Sequence, residues 1–122
     1  MENSDLLSPQ ALRDMAVEVA EDAKGEDIEV IDLMDRGSFA DYMIIVSGNS
    51  SRHVGAIADR LVQRSKREGH QPLGVEGADG GEWVLVDLAD VIVHVMQPQT
   101  RAYYNLEKLW AATTAVKAGT EP

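Results

Sequence analysis

The sequence predicts a single α/β domain of the α+β kind, a mixed sheet with flanking helices. Three observations carry this. Amphipathic helical stripes alternate with short β-branched runs along the chain. One run, Asp41-Tyr42-Met43-Ile44-Ile45-Val46-Ser47, is apolar almost throughout, as befits a central strand covered on both faces. The stretch from Trp83 to Met96 reads as two strands around a turn at Ala89-Asp90. A length of 122 residues suits one domain, and an apolar fraction of 44% is enough for a core without metal or disulfide staples.

Ser8 can cap a first helix, with Pro9 at the first helical position, where its missing N–H costs nothing. Leu12, Met15, Ala16, Val19, Ala20 and Ala23 then follow at offsets 0, 3, 4, 7, 8 and 11, which is one apolar stripe. Lys24-Gly25 should end that helix, with Gly25 free to take positive φ. Ile28, Val30 and Asp32 alternate with Glu29, Ile31 and Leu33 in a first strand, and Arg36-Gly37-Ser38 reads as a turn. After the central strand, Gly48-Asn49-Ser50-Ser51 turns into a second helix that either serine or Asn49 can cap. Its buried stripe is Val54, Ile57, Ala58, Leu61 and Val62, and Gly69 stops it. Pro72-Leu73-Gly74-Val75-Glu76 suits a sheet edge or a bend. Pro98 opens a third helix, on which Ala102, Tyr103, Leu106, Leu109 and Trp110 share an inward face while Arg101, Tyr104 and Lys108 share an outward one. Residues 1–7 read as a flexible start, 8–110 as the domain and 111–122 as a disordered tail. The helices are expected to cover most of the sheet.

A turn of two or four residues at Ala89-Asp90 pairs Asp87 with Ile92, Leu85 with His94 and Trp83 with Met96; a three-residue turn would flip every side chain. One face of the hairpin is then wholly aliphatic: Val84, Val86, Leu88, Val91, Val93 and Val95. The other mixes Trp83, Leu85, Asp87, Ile92, His94 and Met96, as a contact surface would. Trp83 and Tyr104 stand out as candidate anchors, because large, stiff, hydrogen-bonding aromatics dominate protein–protein contacts. Glu82, Asp87 and Asp90 would give the patch an acidic rim. The alternative for each aromatic is a place in the core.

The formal net charge is −10, from 11 Lys and Arg against 21 Asp and Glu. Such a chain repels phosphate, which argues against direct DNA binding and favours basic partners. With no cysteine, disulfides and thiolate metal sites are excluded, in keeping with a reducing compartment. No signal peptide and no apolar run of about 20 residues is present, so a cytoplasmic location without a membrane span is expected.

Catalytic constellations are sparse. Gly48-Asn49-Ser50-Ser51-Arg52-His53 is neither a Walker loop nor a dinucleotide fingerprint, although its position resembles the Gly-Ser turn of nucleotidyltransferases. Two-metal chemistry would need paired carboxylates on the next strand, which offers only Glu76. Helix capping is the simpler reading. Asp87 and Asp90 bracket a turn, where aspartate commonly bonds to backbone. His94 reads as a half-buried histidine hydrogen-bonded to a neighbour, and no nucleophilic triad can be assembled. Neither cofactor nor metal is expected.

Several motifs in order carry a resemblance: Ser50-Ser51-Arg52-His53, Pro72-Leu73-Gly74-Val75-Glu76-Gly77, Trp83-Val84-Leu85-Val86-Asp87-Leu88, Val93-His94-Val95-Met96 and Leu106-Glu107-Lys108-Leu109-Trp110, with Asp41-Tyr42-Met43 before the central strand. From about Leu12 to Trp110 the chain resembles the ribosomal silencing factor family, RsfS, also called Iojap-like. The resemblance implies a nucleotidyltransferase-like topology without catalytic acids and a non-enzymatic role. It implies binding to the large ribosomal subunit through ribosomal protein L-fourteen, with subunit joining blocked by bulk. The family's contact patch maps onto Trp83, Val84 and Leu85, with Asp87, Met96 and Tyr104 as neighbours. A homodimer through the mixed face is a further expectation for the free protein.

Overall fold

In a computed structural model of the chain, residues 7–35, 37–77 and 80–108 are described. Residues 1–6 of the expected flexible start, the whole expected tail, and Leu109 and Trp110 lie outside them. The elements run α1 (Pro9–Asp22), β1 (Glu26–Asp32), β2 (Tyr42–Ser47), α2 (Ser51–Arg67), β3 (Gly74–Glu76), β4 (Trp83–Asp87), β5 (Val91–Met96) and α3 (Pro98–Tyr104). The strands form one five-stranded mixed sheet in the order β1-β2-β5-β4-β3, as the α+β reading expected.

The sheet is antiparallel except where β2 runs parallel to β5. A parallel pair forces the chain out of the sheet and back, and α2 fills that crossover. β2 is buried along its whole length, and the middle position of the sheet belongs to β5. The hairpin register is as expected: Asp87 faces Ile92, Leu85 faces His94 and Trp83 faces Met96. Its turn is two residues, closed by Leu88 N–H donating to the Val91 carbonyl at 2.9 Å. Asp87 Oδ1 accepts from the Ala89 amide at 2.9 Å, the expected aspartate-to-backbone bond.

Local chemistry sets the helix ends. Ser8 Oγ accepts from the Ala11 amide, and Ser50 Oγ, not Asn49 or Ser51, accepts from the His53 amide, each at 3.0 Å. The exit of α1 differs from expectation. Lys24, not Gly25, takes the left-handed conformation, at φ +66°. Gly25 is required for space instead: a Cβ there would come within 2.5 Å of Val46 Cγ2 and 3.0 Å of the Ala20 carbonyl oxygen.

The two long helices both pack on one face of the sheet, so they do not cover most of it. Leu12, Met15, Ala16 and Val19 of α1 and Val54, Ile57, Ala58 and Leu61 of α2 meet Ile44, Val46, Val84, Val86, Leu88, Val91, Val93 and Val95. This is the aliphatic hairpin face, and it is the main core. On the other face a smaller cluster joins Leu33, Ala40, Met43, Ile45 and Met96, with Ile31, Trp83, Ile92 and Leu106 packed against it. Among the described residues, the loop between β1 and β2 and the segment after short α3 contribute Leu33, Ala40 and Leu106 to this side.

The third helix also departs from expectation. It ends at Tyr104, because Asn105 adopts φ +50°, a left-handed conformation that asparagine tolerates. Its faces are partly exchanged: Ala102 and Tyr103, expected inward, are exposed and Arg101, expected outward, is buried, whereas Tyr104 and Lys108 are exposed and Leu106 packs inward as expected.

Candidate functional site

Alternation along β4 and β5 places Trp83, Leu85 and Asp87 beside Ile92, His94 and Met96 on the face away from the long helices. At the next strand Gly74 stands opposite Asp87 and contributes no side chain, while exposed Glu76 stands opposite Leu85. Leu85 and Asp87 are half-buried, and so is Trp83. The result is an open, partly apolar strip edged by Asp87, Glu76 and exposed Glu82.

The indole of Trp83 is held from two sides. Its Nε1–H donates to Nδ1 of His94 at 2.9 Å, and Tyr104 of α3 lies 4.8 Å from it, ring centre to ring centre. His94 is only 6% exposed, and burial pushes its imidazole down from 6.5 to about 4. It is therefore neutral at neutral pH, with its proton on Nε2 and Nδ1 free to accept. The histidine is a buried, hydrogen-bonded residue, as the simpler sequence reading held. The indole N–H is already satisfied, so what Trp83 can offer a partner is hydrocarbon.

α3 is fastened over this face by Arg101. Its Nη1 donates to buried Ser47 Oγ at 2.8 Å, and its Nε and Nη2 reach Glu107 Oε2 at 2.7 and 2.6 Å. Tyr104, 53% exposed, thus sits on a helix pinned at one end of β2 and leans on Trp83 with its other side in solvent.

Of the residues singled out from sequence, the structure brings Trp83, Leu85, Asp87 and Tyr104 to this surface. It does not bring Val84 there, which is 0% exposed beneath the helix-covered face, the consequence of strand alternation. Met96 shares the face of Trp83 but is fully buried as floor beneath it. Sequence reasoning missed Arg101, Ser47 and Glu107. Only the separation of Arg101 and Glu107 by six residues across an asparagine able to end a helix hints at the clasp.

The turn at the start of α2 is occupied by structural bonds. His53 Nδ1 accepts from the Asn49 amide at 3.0 Å, and its Nε2 donates to the Ala23 carbonyl at 2.8 Å, tying α2 to the end of α1. Gly48 closes on Val54: a Cβ would lie 3.0 Å from the Val54 amide nitrogen. Among the described residues, no group of three or more His, Asp or Glu is gathered to hold a metal ion. Nor is any helix among them long and apolar enough to cross a membrane.

Fold and site together define a small α+β domain in which, among the described residues, one face of the sheet is packed under the two long helices and the other carries an aromatic, acid-edged strip. The chain belongs to the family described as ribosomal silencing factor during starvation, whose model matches residues 7–121. It is 44% identical over 101 residues to ribosomal silencing factor RsfS of Haemophilus influenzae, covering 83% of this chain and 99% of that one. A crystal structure of a Chromobacterium violaceum protein superposes with a TM-score of 0.84 at 42% identity, over 86% of this chain and 88% of that one. A mouse relative named mitochondrial assembly of ribosomal large subunit protein 1 is 36% identical over 100 residues, covering 80% of this chain and 44% of that one.

Proposed function

We propose that this chain is a non-enzymatic, cytoplasmic repressor of translation. It docks on the large ribosomal subunit through ribosomal protein L-fourteen and blocks subunit joining by occupying space. The observation that carries the reading is the open strip around Trp83, on the sheet face the long helices leave bare. Family membership supports a ribosomal partner, and the name of the mouse relative points to the large subunit. Trp83, Leu85 and Tyr104 supply the apolar grip and Asp87 the acidic edge. Val84 and Met96 act from behind by fixing the strands. A charge of −10 draws the chain to a basic protein and discourages misplaced docking on rRNA phosphates.

The test is co-sedimentation with dissociated large subunits at several salt concentrations. Binding is expected to weaken as salt rises, and Trp83→Ala to cost about 2 kcal/mol, roughly 30-fold in affinity. Unchanged binding by that variant would remove Trp83 from the interface. The same half-exposed strip would let the free protein pair with a second copy, which concentration-dependent sedimentation would reveal.

A further inference from the structure

The aromatic surface around Trp83 continues outward past Tyr104 into a cleft that Trp83 and Leu85 do not line. Tyr103 meets Tyr104 edge-on, with ring centres 5.0 Å apart, and is 82% exposed. Beside the pair lies a cleft of about 420 Å³ lined by Glu82, Gln97, Gln99, Thr100, Tyr103 and Tyr104. No lysine or arginine lines it, and among the described residues the Glu82 carboxylate has no hydrogen-bond or ion-pair partner. Gln97 is held in place, its Nε2 donating to the Gly81 carbonyl at 2.9 Å and to Ser51 Oγ at 3.2 Å, which leaves its amide oxygen as a second acceptor. Arg101 pins the opposite side of α3, so both tyrosines ride on a fixed helix.

Two tyrosine rings, a carboxylate and an amide oxygen around one concavity form a receptor for a cation. Ring faces attract positive charge, a carboxylate pairs with it, and nothing in the lining repels it. A planar guanidinium suits this set better than an ammonium, because it can stack on a tyrosine while its N–H edge meets an oxygen. We infer that the cleft of Glu82, Gln97, Tyr103 and Tyr104 receives an arginine side chain of the basic protein to which the Trp83 strip docks. The inference rests on the docking reading above for the source of the arginine, and on the cleft itself for the chemistry.

The experiment has two arms on the full chain. In the first, a hexa-arginine peptide is titrated while the ring signals of Tyr103, Tyr104 and exposed Phe39, which does not line the cleft, are followed by NMR. Shifts confined to the two tyrosines are expected, weaker with hexa-lysine. Glu82→Gln should lower the peptide affinity at least three-fold more than Asp59→Asn, which removes the same charge from the surface of α2. Equal shifts at Phe39, or equal losses in the two variants, would overturn the site and leave only net charge at work. In the second arm, large-subunit binding is compared for Trp83→Ala, Glu82→Gln, Tyr103→Ala and Tyr103→Phe. Five-fold or greater losses for Glu82→Gln and Tyr103→Ala, with Tyr103→Phe near normal because it keeps the ring, are expected. Loss with Trp83→Ala alone overturns the cleft and keeps the docking reading. No loss with Trp83→Ala, together with shifts confined to the tyrosines in the first arm, overturns the docking reading and keeps the arginine site.

Discussion

The indole N–H of Trp83 donates across the β4–β5 pair to Nδ1 of His94 at 2.9 Å, so the most prominent aromatic of the open face is oriented by a histidine buried in the middle strand. Only the neutral imidazole can make this bond. Protonation would turn its acceptor into a donor facing another donor.

A pH dependence of stability follows. The folded chain holds His94 at about 4, below its ordinary 6.5, so the unfolded chain takes up the proton first. The stabilisation from keeping His94 neutral is complete above pH 6.5 and is lost as pH falls from there to about 4. The drop amounts to about 3 kcal/mol. Acid acts on the rest of the molecule as well, so the measurement is a difference: urea unfolding of the native chain and of His94→Gln, from pH 7.5 down to 4. The gap between the two should narrow with acidity, since the variant keeps an acceptor oxygen but does not titrate.

Removing the clasp should loosen α3 without unfolding the sheet. Arg101→Met deletes charge-assisted bonds to Ser47 and Glu107 and should cost about 2 kcal/mol locally. The amide of Asn105 donates to the Arg101 carbonyl at 2.8 Å, and its hydrogen exchange should accelerate while that of the β5 amides is unchanged. Equal acceleration in β5 would mean that α3 and the sheet open together.

Ala89 sits at φ +75° in the hairpin turn, where the Asp90 amide also donates to the Leu88 carbonyl at 3.0 Å. That combination marks the strained three-residue γ-turn, which a Cβ disfavours. Ala89→Gly should therefore stabilise the chain by about 1 kcal/mol after the entropy cost of glycine is subtracted. A thermal melt shifted upward by a few degrees is the expected readout, and a downward shift would refute the strain.

Ser50 carries the N-cap of α2. Ser50→Ala should destabilise by about 1 kcal/mol in chemical unfolding, and Ser50→Gly by only a few tenths. Ser51→Ala, which leaves the cap bond intact, should be the milder of the two alanine changes.

The hairpin and its two faces were legible because β-branched alternation and an even-numbered turn leave one register open to Val84, Val86, Val93 and Val95. The interior place of β2 was legible from its unbroken apolar run. Which face the helices chose was not, since both hairpin faces carry apolar groups and the crossover through α2 fixes the side only in three dimensions. α3 was misread for a definite reason. Helical spacing treats Arg101 as a surface charge, but its long side chain reaches buried Ser47, and Asn105 breaks the period three residues before Lys108. The Trp83–His94 bond was equally hidden, because it joins diagonal rather than facing partners across the ladder.

Along β4, neighbouring positions answer to different demands. Val84 and Val86 lie wholly under helices, whereas Trp83, Leu85 and Asp87 meet the outside. A lineage could rewrite Leu85 to suit a changed receptor and leave Val84 and Val86, and with them the main core, untouched. Drift in recognition and loss of structure are thereby uncoupled at a spacing of one residue.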